Sequence, residues 1–223
     1  MPARAPAASS ARADADARTP LQRQLAGAAT ARPSALDAFR QARRTFLAGD
    51  RVDMQALARA LAVDRATLYR WVGSRDQLLT EILWSLIDPT IVRLREAHCH
   101  PGPSAMPGPT GPGQSSAAAV VTGTVRAVIA NPGMQRFLDR EGDLALRLLT
   151  TKASDFETRL IALIHDLVRQ ETMAGRLNPS VPLDDLPYVL VRVMESYVCL
   201  GLITGERPDP DRAARVINAL LPS

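Results

Sequence analysis

Apolar residues recur along most of this chain at spacings of three and four, the period of a helix with one buried face. The first such stripe is Leu36, Phe39, Ala42, Phe46 and Leu47, capped by Ser34 and ended by Gly49. A short second helix is predicted from the cap Asp53 through Ala60, turning Met54, Leu57, Ala58 and Leu61 inward. Asp64 caps a third over Arg65 to Trp71, and Gly73-Ser74 closes it and caps the fourth. The fourth is long, with Leu78, Leu79, Ile82, Leu83, Leu86, Ile87, Ile91 and Leu94 in one continuous stripe.

Five prolines and four glycines between Pro101 and Gly113 then forbid helix and predict a mobile loop. Helical pattern returns over Ser116 to Ala130 and stops at Asn131-Pro132-Gly133; shorter segments follow over Met134 to Asp139 and Leu144 to Leu149. Ser154 caps a stronger helix with Phe156, Leu160, Leu163, Ile164, Leu167 and Val168 inward, ended by Gly175. Two more are predicted: an almost wholly apolar one over Leu183 to Ile203, and one over Asp209 to Leu221 that turns in Val216, Ile217, Leu220 and Leu221.

Composition agrees with an all-α protein. The apolar fraction is 46%, mostly Ala, Leu and Val, while aromatic residues are 4%. The first 33 residues lack an apolar stripe and carry five arginines against Asp14 and Asp16, so they read as a disordered basic tail. The division expected is a tail over 1–33, a head over 34–75, a connecting helix over 76–98, a flexible loop over 99–115 and a C-terminal bundle over 116–223. Cys99 and Cys199, far apart in a chain without a signal-like apolar start, read as reduced thiols, and no run reaches the length of a membrane span. A soluble, cytoplasmic protein is expected.

Two short capped helices joined at Leu61-Ala62-Val63 and followed by a third element form a helix-turn-helix. Its second helix holds one large aliphatic residue, Leu68, and is otherwise polar, which suits a reading surface. Between residues 40 and 75 eight arginines face three aspartates, and duplex phosphates favour such an excess of positive charge.

At this point the run from Leu57-Ala58-Arg59-Ala60-Leu61-Ala62-Val63-Asp64 through Arg65-Ala66-Thr67-Leu68-Tyr69-Arg70-Trp71-Val72-Gly73-Ser74-Arg75 to Asp76-Gln77-Leu78-Leu79 resembles the TetR family signature. The segments Arg51-Val52-Asp53-Met54-Gln55-Ala56-Leu57 and Ile203-Thr204-Gly205-Glu206 are similar to a QsdR-type group linked to degradation of lactone quorum signals. The resemblance implies a dimeric regulator with an N-terminal three-helix head and a C-terminal ligand and dimerisation bundle. It implies that Thr67 and Tyr69 bond phosphates from the recognition helix, that Arg75 does so from the start of the fourth helix, and that Arg65 and Gln55 match base-reading positions; Ala66 and Arg70 share that surface. An arginine on guanine O6 and N7 contributes about 1–3 kcal/mol of discrimination. Two positions depart from the pattern: Ala62 stands where a turn glycine is usual, and Arg75 where a lysine is common.

The last helices carry more apolar surface than a monomer of this size hides, and pairing of two copies is expected. On the Leu183 to Ile203 segment, Tyr188, Arg192, Glu195 and Cys199 form a polar stripe on an apolar rod. Either Arg192 or Tyr188 donates to the carbonyl of a ligand in a pocket walled by Met134, Phe137 and Phe156, or Arg192 and Glu195 form an ion pair at the surface or dimer interface. The lactone-linked resemblance implies an acyl or alkyl lactone as effector. His98-Cys99-His100 does not read as a metal site, since adjacent residues do not aim at one ion. No phosphate loop, nucleophile elbow or HExxH pair is present, so neither an enzyme nor a cofactor is expected. The competing reading is a helical small-molecule-binding or scaffold dimer that does not read DNA.

Overall fold

The computed structural model describes residues 32–99 and 115–223, and the expected basic tail, apart from residues 32 and 33, and most of the proline-glycine loop lie outside them. The described residues form eleven helices and no strand: α1 Ala35–Leu47, α2 Met54–Ala60, α3 Arg65–Val72, α4 Arg75–His98, α5 Ser116–Ile129, α6 Pro132–Arg140, α7 Gly142–Thr150, α8 Phe156–Met173, α9 Leu186–Val198, α10 Leu200–Thr204 and α11 Pro210–Leu220.

Helix α5 is the axis of the bundle, because its face is built of Ala, Val and Thr small enough to let neighbours close in on every side. Residues 117–122, with Thr124, Val125 and Val128, are buried, and the two threonine hydroxyls are spent on the carbonyls of Ala118 (2.7 Å) and Val120 (2.8 Å). Around α5 pack α4, α8, α9 and α11. Its cap, Ser115, is itself buried and donates to the carbonyl of Leu221 (2.8 Å), tying the last residues to the start of the bundle.

The helix ends follow the punctuation of the chain. Asp53, Asp64, Ser74 and Asn131 each accept a backbone N–H from the first turn of the helix they begin, and Ser74 and Gln77 complete a capping box. Gly49, Gly73 and Gly175 take positive φ at helix ends. Ala62 also lies at φ 53°, where the amides of Ala62 and Val63 bond back to the carbonyls of Arg59 and Ala58. The usual turn is therefore kept, and Ala62 carries the roughly 1–2 kcal/mol that a Cβ costs in the left-handed region.

Several expectations are corrected. The single helix over Leu183 to Ile203 is two: α9 starts three residues later, with Pro187 in its first turn where a missing N–H costs nothing, and it breaks at Cys199 before the one-turn α10. Leu36 and Val216 are exposed, so neither is core, and Leu163 packs only partly against it. Ser154 does not cap α8 directly; its hydroxyl accepts from Phe156 N–H (3.2 Å) and donates to Leu148 (2.6 Å), which sets the loop before the helix. Pro132 does not only stop α5; it opens α6, and a side chain at Gly133 would bring its Cβ within 2.6 Å of the Phe46 carbonyl oxygen, so α6 begins hard against α1.

Candidate functional site

Three helices build the head. Helix α3 lies across α1 and α2 and is seated by Leu68, its one buried residue, with Trp71 and Val72 packed partly against the core. Everything else on it faces outward: Arg65, Ala66, Tyr69 and Arg70 are exposed, Tyr69 to 41%, and Gln55 on α2 is exposed beside them. The guanidinium of Arg65 lies 5.9 Å from the centre of the Tyr69 ring, and Arg70 approaches the Thr67 hydroxyl at 3.4 Å. Among the described residues neither Arg65 nor Arg70 forms an ion pair, so two cations stand uncompensated on one short helix.

Two residues expected on that surface also bond within the protein. The Thr67 amide and hydroxyl both donate to Asp64 (2.7 and 2.8 Å), which together hold the Asp64 carboxyl below its ordinary range. The second is Arg75. Its side chain is turned inward and only 19% exposed, donating Nε–H to the Val52 carbonyl (2.6 Å) and Nη2–H to Glu141 Oε1 (2.7 Å). A guanidinium at the first position of α4 meets both acceptors because α2 starts, and α6 ends, at the same corner.

The bundle holds a small cavity of about 30 Å³ walled by Ile87, Val125, Val128, Met134, Leu149, Phe156, Leu160, Met194 and Val198 and by the apolar stem of Glu195, with no polar atom bordering it. Of the six residues expected to line a pocket, it brings together Met134, Phe156 and Glu195. Phe137 is buried instead against Phe46, with ring centres 5.4 Å apart, where α6 meets α1. Tyr188 is exposed, and Arg192 lies between it and two carboxylates, Glu157 (2.6 Å) and Glu195 (2.9 Å), with its guanidinium 5.3 Å from the Tyr188 ring centre. Arg192 and Glu195 are three residues apart, about 60° short of a full turn, and that offset carries Glu195 from the rim of α9 into the interior. Burial pushes the Glu195 carboxyl up to about 7, against the pull of Arg192 and with a further push from Glu157.

Glu141 and Glu157 have no signal in the sequence, since each meets its arginine across a long separation. Trp84, edge-on to Phe156 at 6.1 Å and stacked under Arg159 at 4.4 Å, borders the cavity wall and was equally silent. Neither cysteine is poised for chemistry: burial and Glu171 raise Cys99 to about 12, and burial and Glu195 raise Cys199 to about 11. No helix of the described residues is long and apolar enough to cross a membrane.

Residues 112–222 match a protein family described as the tetracyclin repressor-like C-terminal domain. Among solved structures, the transcriptional repressor QsdR of the TetR family from R. erythropolis superposes with a TM-score of 0.65 at 26% identity, covering 84% of this chain and 93% of that one. A TetR family regulator from Shewanella sp. PV-4, described there as provisional in function, reaches a TM-score of 0.45 at 13% identity, covering 86% of this chain and all of the other, a level that adds nothing to the first. No curated protein matches the chain in sequence. A likeness over 84% of the chain reaches well beyond the C-terminal half and takes in the head, so the two matches bear on both parts of the molecule. The chain belongs to the TetR family of transcriptional regulators, which are DNA-binding proteins and not enzymes, and its likeness within that family is to QsdR.

Proposed function

We propose that the protein is a repressor that binds palindromic operator DNA as a homodimer and lets go when a small, mostly apolar effector, a lactone, enters the bundle. The observation that carries the reading is α3: a capped eight-residue helix, seated by Leu68 alone, whose outward side presents Arg65, Tyr69 and Arg70 with no acidic partner. Such a surface suits a major groove, with Arg65 and Gln55 toward bases and Tyr69, Arg70 and Thr67 toward phosphates, Ala66 leaving room for close approach. The likeness to a protein named as a transcriptional repressor supports repression.

The test is titration of the purified protein on duplexes from its own promoter region at two salt concentrations. Specific binding is expected to weaken steeply with salt, the logarithm of affinity falling by about 0.9 per phosphate neutralised. Arg65→Ala is expected to cost about 1–3 kcal/mol per head and to relax preference at one base pair of each half-site, whereas Arg70→Ala weakens all sequences alike. Equal affinity for every duplex, at any salt, would overturn the reading in favour of a helical dimer that does not read DNA.

Effector binding is supported by the cavity. It is far smaller than a drug-sized pocket, so a ligand has to displace side chains, and Met134 and Met194, unbranched and flexible, are the walls suited to move. A lactone carbonyl only accepts hydrogen bonds, and Glu195, the one polar residue of the lining, donates only when it is protonated and turns its carboxyl from Arg192 into the cavity. Lactone binding therefore favours protonated Glu195, and affinity is expected to hold below pH 7 and to fall about tenfold per pH unit above it. Trp84 emission in a Trp71→Phe background reports the titration, and Glu195→Gln, which always donates, is expected to remove the pH dependence. A flat profile in the parent protein would rule out Glu195 as the donor.

A further inference from the structure

The turn between α1 and α2 is gripped by arginines from the body. Arg136 and Arg140 of α6 donate to the carbonyls of Ala48 (2.5 Å) and Gly49 (3.0 Å), and Arg75 of α4 donates to that of Val52 (2.6 Å). Arg75 alone among them also meets a carboxylate, that of Glu141 at the corner where α6 ends and α7 begins. The corner is fixed at the backbone: Glu141 N–H donates to Phe137 (2.9 Å) and its carbonyl accepts from Ala145 (2.8 Å). The pair is largely sheltered, with 19% of the Arg75 side chain and 16% of that of Glu141 exposed, while the exposed Arg51 stands 3.6 Å from the other carboxylate oxygen.

We propose that Glu141 is an internal stand-in for a duplex phosphate, competing with DNA for Arg75 and so setting operator affinity. The proposal rests on the DNA-binding reading above. Arg75 follows directly on the Gly73-Ser74 link from the reading helix, so its side chain starts at the edge of the surface that meets the duplex. A carboxylate and a phosphate each accept from a guanidinium N–H, and the Nη2 edge that Glu141 holds cannot serve both at once. When Arg75 leaves, Arg51 remains beside Glu141, so release does not strand a lone buried charge. The two helices that meet at this corner line the effector cavity only at their far ends, by Met134 at the start of α6 and Leu149 at the end of α7.

The test is fluorescence anisotropy with a 30-base-pair duplex (about three helical turns) selected by the parent protein from a random pool. Glu141→Gln is expected to tighten binding about tenfold, equivalent to ~1.4 kcal/mol, and to steepen the salt dependence by about one phosphate. Asp143→Asn, an equal change of charge two residues away without an Arg75 bond, should shift affinity less than about twofold. Glu141→Asp keeps the charge but falls one methylene short of Arg75, and should give part of the same gain, which also covers the case of a poorly folded glutamine variant. In an Arg75→Ala background the Glu141→Gln gain should vanish. Equal gains from Glu141→Gln and Asp143→Asn, or a gain that survives Arg75→Ala, would overturn the competition. Parent protein that binds duplex while both Glu141 variants leave affinity unchanged removes this proposal alone; parent protein that selects no duplex removes the DNA-binding reading and this proposal with it.

Discussion

Leu68→Ala is expected to lower the unfolding free energy by about 2–5 kcal/mol and to take duplex binding with it. An eight-residue helix is too short to persist by itself in water, so α3 stands on its tertiary anchors. At its N-terminus that anchor is the Asp64 cap, at its C-terminus Gly73, and between them the only fully buried side chain is Leu68. Removing three of its carbons leaves a void between α3 and the α1–α2 pair on which it lies, and the void falls where the reading surface is oriented. Urea denaturation gives the stability change and anisotropy the loss of affinity. A cost under about 1 kcal/mol, below the range for a buried leucine, would mean that Trp71 and Val72 seat the helix instead.

The combined change Tyr188→Asp and Val216→Asp is expected to convert the protein to a folded monomer that binds operator at least about a hundredfold more weakly, because two heads on one two-fold dimer gain from effective concentration and separate heads do not. Tyr188 on α9 is 52% exposed and Val216 on α11 is 37% exposed, and between them lie Val193, Tyr197 and Leu200, a mostly apolar strip across two packed helices. Both substituted residues sit at the surface of one chain, so their replacement should change monomer stability by no more than about 0.5 kcal/mol each. In a pairing of two such strips the same change would bring four carboxylates into the contact, a desolvation cost that opposes pairing. Sedimentation shows the assembly state and melting confirms the fold. A dimer that persists with both aspartates would move the interface off α9 and α11.

The arrangement of the effector side is less direct than that of the DNA side, and the reason is visible in α9. Tyr188, Arg192, Glu195 and Cys199 read as one polar stripe by spacing, yet they divide between solvent, an ion-paired rim, a cavity wall and the core. The ion pair expected between Arg192 and Glu195 is present, and Glu157 from α8 joins it. The residue of the stripe that lines the cavity is Glu195, through its apolar stem, whereas the spacing had pointed to the arginine or the tyrosine.

What the chain alone determined were the features that short-range physics controls. The caps at Asp53, Asp64 and Ser74, the glycine stops at 49, 73 and 175, the stripes of α4 and α8 and the polar outer face of α3 all follow from interactions within about five residues, and each is legible in order along the sequence. The tertiary structure decided everything that depends on which distant groups meet. It turned Arg75 inward to Glu141, 66 residues away, moved Phe137 from a ligand wall to a contact with Phe46, split the last apolar rod at Cys199 and set the stem of Glu195 against the cavity. A local pattern specifies that a side chain is charged or apolar and which way it leaves its own helix, but a partner supplied by another helix is set only when the helices pack.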